Sequence, residues 1–421
     1  MGLFDWMKKQ NKRSAGKSSF SNPEQWLVDL MGGALTNSGA RINEMNACKN
    51  ITVLACIGLL SDSIASLPCV LFEETPDGKR MSKKPAVKHP AYKLLKKSPN
   101  PEMTPFTFQE LMIQHLSTWG NSYNYIARDG AGNPRELWPC LPDRTNVRRN
   151  PANGELMYET IDRFGNMMRI AAEDMLHIPG MGFDGLVGKS PIGLMREAIG
   201  LSVSGEEYGA RFFSNGANSG GVLEHPNQLS DAAYARLKES FNERYSGNSN
   251  AHKTQILEEG MKFNKITIPP NDAQFLETRG FQVEEIARGF RVPPPLIGYM
   301  EKASSFGTGI EQLSIGFVKY TLRPIAVRVQ DTFNKKLLTE SEQKNMFFKY
   351  NMDALLGGDF KTRMEGYNQG RVGGWLSIND IREKEDMDPV ESGDDYLQPL
   401  NMAPAGSIPP AKDIPKTGGN K

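Results

Sequence analysis

The chain has 421 residues, of which 38% are hydrophobic, 24% charged and 9% aromatic, and its formal net charge is +1. This is an ordinary soluble composition, long enough for about two or three domains. Near-neutrality excludes a global electrostatic grip on nucleic acid, so any DNA contact has to be local.

The four cysteines, Cys48, Cys56, Cys69 and Cys140, contain no CxxC pair, and the five histidines stand at no zinc-binding spacing. Neither a metal nor a cofactor is expected. The cysteines read as buried free thiols, which fits folding in a cytoplasm. The longest apolar run, Ile51 to Leu60, is far shorter than the ~20 residues of a membrane span. At the N-terminus, Lys8, Lys9, Lys12 and Arg13 follow the apolar residues, the reverse of signal-peptide order. Met1-Gly2 lacks the Ser or Thr that myristoylation wants, because position 6 is Trp6. Leu3, Phe4, Trp6 and Met7 could form a small interfacial helix, but a polar, basic arm or partner-docking tail is the favoured reading of residues 1–40, with no membrane role.

Taken in order, the pattern predicts a helix from Asn43 to Ser66, apolar on a wide arc and therefore buried. Pro68 ends it, and Cys69-Val70-Leu71-Phe72 reads as a strand running to the turn Pro76-Asp77-Gly78. His89-Pro90 opens a short helix through Lys97. Thr107 is placed to cap a helix from Phe108 to Gly120, with Glu110 completing a capping box. Asn121 to Arg128 alternates as a strand and turns at Asp129-Gly130-Ala131-Gly132-Asn133. Short strands follow at 137–142, 145–149, 157–160, 167–170 and 175–178, completing an α+β block. Ser190 caps and Pro191 opens a long helix to Asn215. Val222-Leu223-Glu224 is a short strand, and Ser230 caps a helix to Tyr245. Gln255-Ile256-Leu257 and Phe263 to Ile268 read as a small hairpin, and Asp272 caps the next helix.

That helix enters a Pro-rich elbow, Gly289-Phe290-Arg291-Val292-Pro293-Pro294-Pro295-Leu296-Ile297-Gly298, followed by Lys302-Ala303-Ser304-Ser305-Phe306-Gly307-Thr308-Gly309. Three prolines in a row cannot sit inside a helix, yet helical patterns flank them. A stiff elbow beside a Gly/Ser-rich segment is a shaped loop of the kind that carries function. Beyond it, Ile310, Leu313, Phe317 and Tyr320 mark one helical face. Ile325, Val329, Phe333 and Leu337 mark another after Pro324, where a kink is expected. A strand at 346–350 and helices near 359–368 and 377–385 complete the ordered pattern. The acid-rich stretch 380–395 reads as a solvated face, and the Pro/Gly/Lys-rich end as disordered.

The enzyme-like signal is the Gly-rich segment 180–191, ending Gly188-Lys189-Ser190-Pro191. It lacks the first P-loop glycine, since Phe183 holds that place, and Pro191 removes an amide where phosphate would bind. A nucleotide-dependent enzyme using this loop is therefore the alternative, not the leading reading. No GxSxG and no framed Cys or Ser nucleophile supports hydrolysis. Lys253, Lys262 and Lys265 on the hairpin, with Arg291 and Lys302 at the elbow, suit phosphate contacts that read no bases.

The order of these elements resembles the portal, or head-to-tail connector, proteins of long-tailed bacteriophages. The resemblance rests on Asn50 to Pro68, His89 to Asn100 with Thr107 to Asn124, Gly188-Lys189-Ser190-Pro191, Phe212-Phe213-Ser214-Asn215-Gly216, and Phe281 to Gly298 with Gly309. It implies a non-enzymatic α+β portal fold assembling as a ring of about twelve subunits. By resemblance, 1–24 is the basic arm, 25–190 and 310–370 the wing, 191–221 and 271–289 the stem helices, and 222–270 the clip. The tunnel loop would be 290–309, the crown 371–400 and the tail 401–421. The implied partners are terminase, the major capsid and scaffold proteins, the head-tail adaptor, and double-stranded DNA bound without sequence specificity. The implied location is the virion's capsid vertex, with assembly in the host cytoplasm. Arg291, Lys302, Ser304, Ser305 and Thr308 are the expected channel residues, and Lys253, Lys262 and Lys265 the clip's partner surface. A near-neutral chain suits this role, because duplex DNA carries about one charge per 1.7 Å and a strongly basic channel would hold it fast.

Overall fold

In the computed structural model, described residues are 34–77, 80–162, 165–214, 221–225, 230–236, 239, 261–265, 272–300, 307–352, 355, 360–385 and 387–397. They fall into two compact units, 1–352 and 353–421. The basic arm, the turn at 247–250, the strand 255–257 and the C-terminal tail lie outside the described residues.

The first unit begins with a small ladder, β1 (Ala34–Leu35) against β2 (Arg41–Ile42). Helix α1 (Ile51–Ala65) starts eight residues later than the apolar pattern alone suggests. Asn50 sets that start: its side-chain oxygen accepts from the amides of Thr52 and Val53, and a separate 3₁₀ turn, Asn46–Lys49, precedes it. An N-cap that satisfies two orphan amides outcompetes continued helix. Val53, Cys56, Ile57, Leu60 and Ile64 of α1 are buried.

Strand β3 (Cys69–Asp77) pairs with β4 (Arg80–Pro85) on one edge and with β13 (Met346–Tyr350) on the other. β4 is not expected from the sequence because Arg80-Met81-Ser82-Lys83-Lys84 has little strand propensity. Pairing places Lys83 opposite Glu74, 3.3 Å apart, on the solvated face. α2 (Pro90–Lys96) is capped by the His89 ring nitrogen, which accepts from Ala91 N.

Helix α3 (Pro105–Trp119) starts at Pro105, and its cap is Thr104 rather than Thr107. Thr104 Oγ1 accepts from Thr107 N at 3.1 Å, and Glu110 bonds Gln114 instead of closing a capping box. Pro105 explains the shift, since a proline is well placed in a first turn that needs no amide. Phe108, Met112 and Ile113 of α3 are buried. The Tyr350 hydroxyl of β13 donates to Gln109 on α3 at 2.7 Å.

β5 (Asn121–Arg128) lies between β10 (Met175–Pro179) and β6 (Pro134–Cys140), all antiparallel. A second sheet, β7 (Asn146–Arg149), β8 (Leu156–Ile161) and β9 (Met167–Ala171), stacks on it through Tyr123, Tyr158, Ile170 and Met175. The short strands expected between 137 and 178 are present, with β6 and β10 both paired to β5 and β8 paired to β7 and β9. The four thiols are free; burial pushes Cys56 up to about 12 and Cys140 to about 11.

The single long helix expected from Ile192 is broken into α4 (Pro191–Leu194) and α5 (Arg196–Ser214). β11 (Gly221–Glu224) pairs with β12 (Lys262–Lys265), so the partner of Phe263 among the described residues is Leu223. α6 (Asp272–Gly289) packs on α5 and leads to the elbow.

Beyond the elbow come α7 (Gly307–Phe317), a π-helical turn Val318–Leu322, and α8 (Arg323–Leu337). The π turn corrects the first predicted face. Phe317 is buried, but Leu313 and Tyr320 are exposed while Val318, Thr321 and Leu322 go inside. One added residue per turn rotates the buried stripe. Pro324 follows the π turn within continuous helical backbone, where the wider turn next to it accommodates its missing amide. Val329, Phe333 and Leu337 are buried as their spacing requires.

The second unit contains α9 (Phe360–Val372) and α10 (Ile378–Lys384). Its acids are more than a solvated face. Asp380 and Ser377 form a reciprocal capping box. Glu385 holds Arg363 at 2.8 Å and accepts from the Tyr367 hydroxyl at 2.9 Å. Asn379 bonds Val390 and Asp394, gathering the acidic loop around one side chain.

Candidate nucleic-acid interface

The elbow is built from the end of α6. The Arg291 amide donates to Arg288 O at 3.0 Å and the Val292 amide to Ala287 O at 2.9 Å. This pair of bonds is the Schellman closure, and it requires left-handed geometry at the residue between. That residue is Arg291, with φ 57°, where glycine is usual. Ala287 and Val292 are buried together at the closure, and Phe290 is buried beside them. Pro293 then points the chain into a 3₁₀ turn, Pro294–Ile297, that ends at Gly298 with φ 85°.

The Arg291 carbonyl accepts from Thr321 Oγ1 at 2.8 Å, so the elbow is tied to the π turn on the returning helix. The Arg291 side chain is exposed. Thr308 lies in the first turn of α7. Lys302, Ser304, Ser305 and Lys253 fall outside the described residues. Lys262 is exposed and registers opposite Glu224, while Lys265 registers opposite Gly221 at the other end of the ladder.

Helices α5 and α6 pack together. A Cβ at Gly289 would press on the flexible Met195 side chain, which can shift, while one at Gly200 would overlap Thr36, a buried β-branched side chain just after β1. Arg279 reaches Glu206 at 3.6 Å across the pair, and Gln282 is buried. Asn50, having capped α1, also donates to Ser202 on α5 at 2.9 Å, tying α5 to the buried helix.

The Gly-rich segment does not form a phosphate cradle. Gly180 N donates to Gly120 O at 2.7 Å, Lys189 N to Met181 O at 2.7 Å, and Gly188 N to Asn121 Oδ1 at 2.7 Å. Ser190 accepts from Gly193 N and donates its hydroxyl proton to Thr118 O. These amides are consumed within the protein, whereas a phosphate site needs them directed at the ligand. A Cβ at Gly120 would overlap the Lys189 carbonyl, and one at Gly188 would overlap Gly120 O. Here glycines serve backbone contact.

Asn121 is the center of this join and belongs to no sequence motif. Its Oδ1 already accepts from Gly188 N, and its Nδ2 donates to Gly188 O. His177 Nε2, 3.0 Å from that same oxygen, must therefore carry the proton. Nδ1 is left to accept from the Tyr158 hydroxyl at 3.2 Å. Burial, with a smaller contribution from Lys336, lowers His177 to about 4 and keeps it neutral. Arg328 of α8 donates to Gly180 O at 3.0 Å, so the helix returning from the elbow also grips this join.

The family described as "Phage portal protein" matches residues 51–386. The chain belongs to the phage portal protein family. It is 35% identical over 387 residues to the probable portal protein of Streptomyces phage phiC31, covering 90% of this chain and 83% of that one. It is 32% identical to the portal protein of Enterobacteria phage HK97, covering 90% and 88%. The fold is shared with an HK97 family phage portal protein from Corynebacterium diphtheriae, at TM-score 0.56 and 16% identity, covering 75% of this chain and 96% of that one. A chain from the neck of a native gene transfer agent particle, computed with C12 symmetry, aligns at TM-score 0.55 and 22% identity, covering 82% and 93%. β13 returns from far along the chain to pair with β3, so α5, α6 and the elbow lie, in chain order, between two strands of one sheet.

Proposed function

We propose that about twelve copies of this portal protein close into a ring at one capsid vertex, and that duplex DNA is packaged and ejected through its center. The observation that carries the reading is the portal family match over 51–386, together with relatives named as portal proteins that align over 90% of the chain. The domain assignment that goes with it places the wing at 25–190 and 310–370, and the stem at 191–221 and 271–289. The clip is 222–270, the tunnel loop 290–309 and the crown 371–400.

In this reading the chain performs no catalysis. Arg291, Lys302, Ser304, Ser305 and Thr308 present weak contacts to phosphate, repeated once per subunit and blind to sequence. Arg291 gains support from its backbone: an arginine kept in left-handed geometry costs about 1 kcal/mol relative to glycine, which fits a side chain retained for use. Lys253, Lys262 and Lys265 form the clip surface that meets terminase and later the head-tail adaptor. Capsid and scaffold proteins surround the ring, which assembles in the host cytoplasm and remains in the virion. The test is particle shape: purified full-length chain should give rings with a hole wide enough for duplex DNA in negative-stain images. Monomers at every concentration and salt would contradict it.

A further inference from the structure

Between residues 79 and 101 the chain carries eight Lys and Arg and no Asp or Glu. The whole chain is only +1, so everything outside this stretch is net negative. A single-sign run of this length makes a local field that the overall charge conceals. It covers β4, the connection after it, and α2. Lys83, Lys84, Lys88, Lys93, Lys96 and Lys97 are all exposed there.

The solvent face of α2 is made of lysine. Ala91, Leu94 and Leu95 are buried, which at about 3.6 residues per turn leaves Lys93, Lys96 and Lys97 together on the opposite side. Like charges three and four residues apart repel and weaken a helix. The helix dipole offsets part of this, because cations are favoured at a C-terminus. It cannot account for Lys88, which precedes the His89 cap at the positive end. The carboxylates that meet this surface are already committed. Glu74 holds Lys83 at 3.3 Å, Glu342 accepts from His89 at 3.0 Å, and Glu73 registers opposite Lys84. Lys88, Lys93, Lys96 and Lys97 make no ion pair among the described residues. A cluster that weakens its own helix and is left unneutralised has the form of a surface kept for a polyanion.

We propose that α2 and the connection before it form a duplex-DNA contact surface separate from the elbow, with Lys88, Lys93, Lys96 and Lys97 each meeting backbone phosphate. The charge pattern favours DNA as the occupant. A protein partner is held in register by complementary charges of both signs, whereas this face offers one sign. Lysine is a point charge on a flexible stem, suited to phosphates at unfixed positions and to contact that reads no bases. The surface does not depend on the ring reading, since α2 packs on β3 and β6 and belongs to none of α5, α6 and the elbow. Its use is to hold DNA without gripping it at the elbow, where a basic lining would stop it sliding.

The test is the full-length chain with Lys88, Lys93, Lys96 and Lys97 all changed to Gln, beside a second variant with all four changed to Arg. Mass photometry and circular dichroism should show the assembly state and fold of wild type, because all four residues are exposed. Fluorescence anisotropy with a random-sequence duplex of about 20 base pairs, at about 50 mM salt, should show the Gln variant binding at least roughly tenfold more weakly. Its slope of log affinity against log salt should fall by about 0.9 for each phosphate released, about three to four in all. The Arg variant should bind as wild type does. Acetylation footprinting of wild type should show the four lysines protected by duplex, while the exposed Lys384 of the second unit is not. Unchanged affinity and slope in the Gln variant, or equal acetylation with and without duplex, overturns the proposal. Polyglutamate is the rival probe: its binding lost in the Gln variant, with duplex binding unchanged, would overturn DNA in favour of an acidic protein. Neither readout needs rings, so failure of the ring reading and failure of this one are distinguishable.

Discussion

Replacing Arg291 by glycine separates stability from DNA contact at a single position. Arg291 sits at φ 57° in the Schellman closure of α6, where an L-residue with a side chain costs about 1–2 kcal/mol. Glycine removes that strain but adds roughly 0.5–1 kcal/mol of backbone entropy to the unfolded chain. The balance is a gain of about 0.5–1 kcal/mol. Urea unfolding of the unassembled chain, at fixed concentration and with an unchanged slope, should show the midpoint rising by a few tenths molar. The same variant should bind duplex DNA less well once assembled. Every phosphate that the variant ceases to neutralise lowers the slope of log affinity against log salt by about 0.9, whatever the DNA sequence. A loss of stability would show that the side chain holds the elbow together. Raised stability with unchanged affinity and salt slope would remove Arg291 from the channel.

Burial holds His177 and His115 near 4, against 6.5 in the unfolded chain, so as pH falls the unfolded state takes up protons first. Stability should be full above about pH 6.5 and decline toward pH 4 by about 3 kcal/mol per histidine; urea midpoints across that range should fall less steeply for His177→Gln. Asn121→Ala strands the Gly188 amide and carbonyl and the His177 ring, and should cost about 3 kcal/mol by the same unfolding assay. Gly120→Ala meets both a φ of 73° and the Lys189 carbonyl, and should yield little soluble protein compared with Gly130→Ala, which meets open space. Wild type and Lys189→Ala should both hydrolyse no ATP above buffer; hydrolysis that depends on Lys189 would restore the nucleotide-enzyme reading.

Much of the first unit could be read from residues because local chemistry decides it. Ser190-Pro191 and His89-Pro90 start helices with a side-chain cap and a first-turn proline, and Asp129 to Asn133 turns the chain through its own side-chain bonds. What the sequence hid is decided by distant partners. β4 is a strand only because β3 lies beside it. The α1 start depends on Asn50, whose second bond reaches Ser202 on a helix far along the chain. The π turn cannot be seen in the spacing of Leu313, Phe317 and Tyr320, which fits an ordinary helix. Thr321 in that turn also reaches back to the Arg291 carbonyl, a distant contact that local spacing does not reveal. The Gly-rich segment looked like phosphate chemistry because glycine is needed both where backbone meets phosphate and where backbone meets backbone. Only the location of Gly120 and Asn121 separates the two.

The most direct measurement is two-dimensional averaging of negative-stain images of the purified full-length chain, supported by mass photometry. The account requires closed rings with an open center and a single dominant rotational symmetry, about twelvefold. A population that stays monomeric, or forms only closed two-fold dimers across the accessible range of concentration and salt, would contradict it.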